Sequence, residues 1–316
     1  MVAMPGRHLP TAPVPEGLPA RAVPSRLDYP LLALGVVAVS FSAVLIRWAD
    51  APGLSVALWR VTIAAVLVVP PAIVRHRDEL LRLTRREVLL AVASGAMLAV
   101  HFATWIPSLS YTTVAASVVL VTTQPVWTAL AGRALGERLP AAALGGIAVA
   151  LVGAAVVSGG DFTVSSRAAF GDALALAGAV AAAGYFLVGR SLRQRLSLLP
   201  YVAIVYTSCA ILLVPAVAVA GQPFAGFPAR TWGLFALMAL VPHIMGHTVF
   251  NYLLRHIEAT VVAIAIMGEP VGASLLALAI FGEVPRWTAV AGGGLVLAGI
   301  YGAITRSRRV EAAPVE

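Results

Sequence analysis

The sequence predicts an all-α polytopic membrane protein of ten transmembrane helices, arranged as two inverted five-helix repeats with both termini in the cytoplasm. Three observations lead there: composition, the length of the apolar stretches, and a sequence pattern that recurs about halfway along the chain. Of 316 residues, 60% are hydrophobic and only 11% are charged, with a mean hydropathy of +0.91. A soluble domain carries roughly a quarter charged residues and needs charged faces on most of its helices. Lipid is therefore the solvent for most of this chain. The net charge of +8 rests on 22 arginines and no lysine. Nucleic-acid binding would need those arginines on one folded face. They fall instead in short clusters between apolar stretches. Cys209, the single cysteine, lies inside an apolar stretch and supports neither a disulfide framework nor a cysteine metal site.

Residues 1–28 hold six prolines and three arginines and read as a flexible cytoplasmic tail. The long polar lead and the lack of a small-residue cleavage site argue against a signal peptide. Ten apolar stretches follow, at about 30–47, 54–74, 88–107, 111–131, 141–158, 168–189, 198–220, 232–254, 259–281 and 287–305. Each is long enough to cross roughly 30 Å of hydrocarbon as a helix. Lipid offers no hydrogen-bond partners to the backbone, so helix is the expected conformation. The alternating ten-residue segments of a β-barrel are absent.

Arginines set the orientation. With the N-terminus inside, the cytoplasmic segments hold Arg7, Arg21, Arg26, Arg75, Arg77, Arg82, Arg85, Arg86, Arg133, Arg138, Arg190, Arg193, Arg195, Arg255, Arg306, Arg308 and Arg309. The outer connections hold Arg47, Arg167, Arg230 and Arg286, and Arg60 lies within a helix. Retention of arginine on the cytoplasmic side thus places both termini inside.

The two halves repeat. SYTTVAASVVLVTTQPVWTAL, LGERLP and GGIAVALVG in the first are answered by HIEATVVAIAIMGEPVGASLL, FGEVP and GGLVLAG in the second. Pro125 and Pro270 are 145 apart, while Gly136-Glu137 and Gly282-Glu283, Gly146 and Gly292, and Gly153 and Gly299 are 146 apart. Five is an odd number of helices, so the second copy, residues 166–305, must enter the membrane from the side opposite to the first, residues 29–158. Many secondary transporters use such an inverted repeat for alternating access around a midplane site. On these motifs the chain resembles the EamA-type branch of the drug/metabolite transporter superfamily. The resemblance implies a helical basket around a central cavity, lined mainly by the first, third, fourth, sixth, eighth and ninth helices. It further implies transport of small metabolites such as amino acids, often coupled to protons, with export as the expected direction.

Polar groups at membrane depth are costly unless they face a cavity or a partner, so they form the candidate site. Glu269 stands before Pro270, about ten residues from either end of its stretch. An isolated carboxylate there takes up a proton or finds a cation, which suits proton coupling; a structural hydrogen bond at the proline-interrupted helix is the alternative. Its repeat partner is Gln124, before Pro125. Both prolines free a carbonyl one turn earlier, a backbone acceptor for a ligand. His101 and His247 are again 146 apart. His101 shares a helical face with Trp105, and His243, His247 and Asn251 form a second stripe. Each is a candidate for substrate binding or for packing. In HIMGH the two histidines have zinc-compatible spacing but no third ligand.

Arg60 is about six residues from the outer end of its stretch, within snorkelling reach of the interface. Its role is an anchor there, or charge selectivity by pairing with Glu269 or an anionic substrate group. Trp127 and Tyr185 are candidate cavity walls, whereas Trp48, Trp232 and Trp287 fit an interfacial belt. Gly-rich stretches read as close helix packing. They lack the lysine of a phosphate loop, so no nucleotide or other cofactor is expected.

These readings converge on a secondary active transporter of the cytoplasmic membrane, with a small-molecule substrate, the bilayer and candidate coupling protons as partners, and no nucleic acid. Its rivals are an intramembrane metal-dependent enzyme using His243 and His247, and a passive channel. Catalytic and metal-binding residues are not expected for the carrier. Both a monomer and a homodimer are compatible with the Gly-rich fifth and tenth helices.

Overall fold

The computed structural model describes residues 25–112, 114–134, 141–157, 165–281 and 287–311. The tail before residue 25 and both Gly-Glu turns lie outside these, with Arg7, Arg21, Arg138 and Arg286. All elements among the described residues are helices: α1 (Asp28–Ala49), α2 (Gly53–Arg82), α3 (Arg85–Ser108), α4 (Val114–Val121), α5 (Gln124–Ala134), α6 (Ala141–Val157), α7 (Ser166–Arg193) and α8 (Leu198–Val219). They continue with α9 (Ala229–Met238), a π-helical stretch (Ala239–Thr248), α10 (Val249–Leu253), α11 (Ala259–Ile266), α12 (Glu269–Phe281) and α13 (Trp287–Glu311). Seven of the described spans are long and apolar enough to cross a membrane, α9 through α10 counting as one span and α11 with α12 as another. Shorter apolar stretches, Leu144–Val156 and Val290–Gly302, lie in α6 and α13. Leu34, Val66, Leu89, Val152, Ile211 and Leu275 are exposed on the outside of the bundle. In water such a surface would aggregate; in a bilayer it is solvated. The chain is a multi-pass membrane protein.

The fourth and ninth apolar stretches are not single helices. One breaks between α4 and α5, the other between α11 and α12. Pro125 and Pro270 sit in the first turn of α5 and α12, where a missing N–H leaves no helical bond unmade. Tight turns carry the chain across: Thr123 N donates to Leu120 O at 3.2 Å, and Gly268 N to Ala265 O at 3.0 Å. The eighth stretch stays continuous but widens into π-helix over Ala239–Thr248, the segment containing HIMGH. At its start α3 carries the sequence signal expected of a helix N-terminus. Thr84 Oγ1 accepts from Glu87 N, and Thr84 N donates back to the Glu87 carboxylate at 2.9 Å. Towards the C-terminus α13 runs to Glu311, past the end of the last apolar stretch at residue 305.

The broadest helix contacts join one half of the chain to the other. Helix α3 packs along α7, and its repeat counterpart, the π-helical span, packs along α1. Helices α2 and α8 lie antiparallel and cap each other. Gln222, just after α8, accepts from Leu54 N and Ser55 N at the start of α2, at 2.9 and 3.2 Å. Glu79, near the end of α2, accepts from Ser197 N at the start of α8, at 2.7 Å. Pro52 gives α2 no side-chain cap of its own, so these bonds satisfy backbone donors that the helix cannot.

Helices α6 and α13 are also antiparallel, and they approach at glycines. A Cβ on Gly153 would lie 2.6 Å from Gly292 O and from Val296 N; one on Gly299 would lie 2.6 Å from Gly146 O and 2.7 Å from Ala150 N. Every residue in the first contact maps onto one in the second at the 146-residue offset. The helix pair therefore has a local two-fold relation.

Candidate solute cavity

Inside the bundle is a partly open cavity whose empty space, including the part continuous with its surroundings, is about 460 Å³. Val39 of α1, His101 and Trp105 of α3, and Ala182, Tyr185 and Phe186 of α7 form part of its wall. His247 of the π-helix, Phe250 of α10 and both helix breaks close it, the breaks contributing Val121, Thr122, Gln124, Ile266 and Glu269. Most of the wall consists of repeat-related pairs. Val39 and Tyr185, like His101 and His247, are 146 apart; Val121 and Ile266, like Gln124 and Glu269, are 145 apart. Val121 and Ile266 are also the residues four before Pro125 and Pro270, whose carbonyls have no proline N–H to accept.

The sequence candidates take three different places. His101, Trp105, Gln124, Tyr185, His247 and Glu269 come together in the wall. His101 Nδ1 donates to Gly178 O at 2.9 Å. A carbonyl only accepts, so Nδ1 carries the hydrogen. The ring stacks on Trp105 with centroids 5.7 Å apart and an interplanar angle of 13°, and its centroid lies 6.4 Å from that of His247. Asn251 sits one layer behind the wall, fully buried, and donates to the Tyr185 hydroxyl at 2.5 Å and to the Tyr206 hydroxyl at 3.4 Å. It orients an aromatic wall residue without lining the cavity itself. Trp127 is not in the wall; its indole N–H donates to Thr123 Oγ1 at 3.1 Å, one turn back on its own chain.

His243 is likewise behind the wall, its ring centroid 4.3 Å from that of Tyr206 and 5.7 Å from that of Phe102. Among the described residues no group of three metal-ligating side chains assembles around the HIMGH pair or elsewhere.

Arg60 differs from the expected snorkelling residue. It is 0% exposed. Counting residues from the end of a stretch gives depth along the helix but not what covers that end. Here the α8–α9 connection folds over it: Ser55 Oγ donates to Pro223 O, Trp59 Nε1 to Phe224 O, and Trp59 packs on Trp232. The guanidinium carbon lies 4.5 Å from the Phe102 ring centroid, and Nη1 donates to Ser42 Oγ at 3.3 Å. Nε and Nη2 have no partner among the described residues. The field of Arg60 reaches Glu269, but the described residues form no ion pair between them. Glu269 itself is 8% exposed, with its backbone carbonyl accepting from Ser40 Oγ at 3.4 Å.

Three further buried polar atoms in the wall lack partners among the described residues: Trp105 Nε1, Gln124 Nε2 and His247 Nδ1. Native interiors rarely leave such groups unpaired. In a cavity wall they are the groups a solute would satisfy. Sequence reasoning missed Val39, Phe186 and Phe250 as wall residues, and Phe102 as the ring beneath Arg60. Apolar residues within an apolar stretch carry no mark of which way they face.

Fold and cavity together define a polytopic helical membrane protein with a cavity among its helices, walled mainly by apolar and aromatic side chains with a few polar groups set into them. The EamA-like transporter family matches this chain twice, over residues 28–159 and again over residues 169–305. The chain belongs to that family and is a membrane transporter. It is 26% identical over 199 residues to an uncharacterized transporter of Archaeoglobus fulgidus, an alignment covering 61% of this chain and 68% of the relative. Its fold is also similar to that of a protein of known crystal structure, with a TM-score of 0.76 over 90% of this chain and 99% of the other, at 18% identity.

Proposed function

We propose that the protein is a secondary carrier of small organic metabolites such as amino acids, working by alternating access and exporting them across the cytoplasmic membrane. Its ten spans form two inverted repeats with both termini inside, and Glu269 takes the coupling proton. The observation that carries this reading is the cavity wall, built in repeat-related pairs from both halves at the two helix breaks. A site with equivalent walls can be exposed by equivalent motions to either side, which neither a pore nor an enzyme requires. The antiparallel pairing of α2 with α8 and of α6 with α13 supports inversion. Seventeen of the 22 arginines on one side support the orientation.

Glu269 is suited to proton coupling because it is a carboxylate at membrane depth that reaches the cavity without an ion pair among the described residues. In proteoliposomes, transport by the wild type is expected to follow an imposed pH gradient, and Glu269→Gln is expected to abolish that dependence while retaining counterflow of labelled substrate. Gradient dependence that survives the substitution removes Glu269 from the coupling role.

A further inference from the structure

Two opposite charges stand in and behind the cavity wall, and the carrier reading uses only one of them. Arg60 is a fixed positive charge buried behind the wall, and Glu269 is the carboxylate that its field reaches. Separated from water, an uncompensated guanidinium is costly, and so is a surplus carboxylate. One anion balances Arg60; two do not. Other groups around Glu269 do not change this count. His101 faces it from α3, Tyr185 from α7 and His247 from the π-helix, with His243, Tyr206 and Cys209 behind them near Arg60. Among the described residues, α1, α4, α5, α6, α11 and α13 set no charged group whose field reaches it.

The rest of the wall also favours a negative group. Helix α5, of 11 residues, and helix α12, of 13, both begin at the cavity, with Gln124 and Glu269 as their first residues. Helix N-termini carry partial positive charge and favour anions. Beside them are the unpartnered donors Trp105 Nε1 and Gln124 Nε2, on residues only 4% and 5% exposed. The indole N–H can only donate. The remaining wall is largely aromatic, from His101, Tyr185, Phe186 and Phe250.

We propose that this cavity takes a small organic monocarboxylate with a flat apolar body, and takes it together with one proton. The inference rests on the carrier reading of the cavity. When Glu269 is ionised it balances Arg60, and an arriving carboxylate would be a second anion. When Glu269 is protonated, Arg60 is left unbalanced, and the substrate carboxylate takes over as its counter-charge while accepting from Trp105 and Gln124. The proton goes onto a Glu269 carboxylate oxygen and no covalent bond of the substrate changes. Arg60 acts through its field, as a specificity residue that need not touch the substrate. Proton and anion are therefore bound in the same step and travel in the same direction, so export in this mode runs down the substrate's own gradient and carries a proton out with it.

The test uses the purified full-length protein and three probes of one body and different head groups: 3-phenylpropionate, 3-phenylpropanamide and 2-phenylethylamine. Calorimetry in buffers of different ionisation heat reads protons taken up per probe bound. On the alkaline side, where free Glu269 is ionised, we expect the carboxylate to bind more tightly than the other two probes with uptake of about one proton, its affinity falling about tenfold per pH unit over that same range, as linkage requires for one proton. Glu269→Gln should bind it without proton uptake or pH dependence, because the amide stands in for the protonated acid. Arg60→Gln should lose the preference for carboxylate over amide, and Arg60→Lys, which keeps the charge, should retain both the preference and the proton uptake. If Arg60→Gln does not fold, the lysine and Glu269 variants still decide the matter. Tighter binding of the amine or amide, carboxylate binding without proton uptake, or no carboxylate binding overturns the proposal. A carboxylate that binds with its proton but is not carried across vesicles supports the charge exchange and defeats the carrier reading instead.

Discussion

Asn251 shows how a polar residue at membrane depth can serve a cavity without entering it. Its amide holds the Tyr185 and Tyr206 hydroxyls, and Tyr206 in turn bonds Thr248 at 2.8 Å. Asn251→Ala is expected to leave two buried hydroxyls short of a donor, costing about 1–3 kcal/mol, while Tyr185→Phe removes only one partner and should cost less. Chemical denaturation in detergent measures both; equal stability of Asn251→Ala and wild type would mean that the network does not hold the wall. At this scale the sequence was legible where chemistry is rare. Glu269, Gln124 and the two histidines stand out because each is polar among apolar neighbours and has a partner in the other half. Arg60 and Trp127 were less legible. Burial of Arg60 depends on a connection far along the chain, at Pro223 and Phe224, and the Trp127 indole finds an acceptor at Thr123 in the break just before its own helix.

Elements show the same division. Ten apolar stretches and their duplication are a matter of counting and offset. The prolines also announce an interruption of the fourth and ninth stretches, but only the structure puts them in the first turns of α5 and α12. The widening of the eighth stretch has no comparable signal, since π-helix over HIMGH depends on what the span packs against. Glycines in α6 and α13 were read as close packing, and their placement gives a sharp test. Gly153→Ala and Gly299→Ala should each force the helices apart against backbone atoms, costing about 1–3 kcal/mol and by similar amounts, because the two contacts are related by the repeat. Gly145→Ala is the control. Nothing lies within 4 Å of its added Cβ, so it should be neutral or gain up to about 1 kcal/mol from helix propensity. Melting temperatures of the three variants suffice, and a loss at Gly145 equal to the other two would remove the close-contact explanation.

At the scale of the molecule the halves are interleaved: α1 lies on the π-helical span, α2 on α8, α3 on α7 and α6 on α13. This has a consequence for biosynthesis. Helices α1 to α6 are synthesised before their main packing partners exist, so they must wait in the bilayer with Arg60 uncovered and the start of α2 uncapped until the later helices arrive. Residues 1–160 expressed alone should be degraded or remain protease-sensitive, and co-expression with residues 161–316 should restore a stable, co-purifying pair. A first half stable on its own would contradict this. The repeat legible in the sequence therefore marks two halves that each supply the packing surface the other lacks.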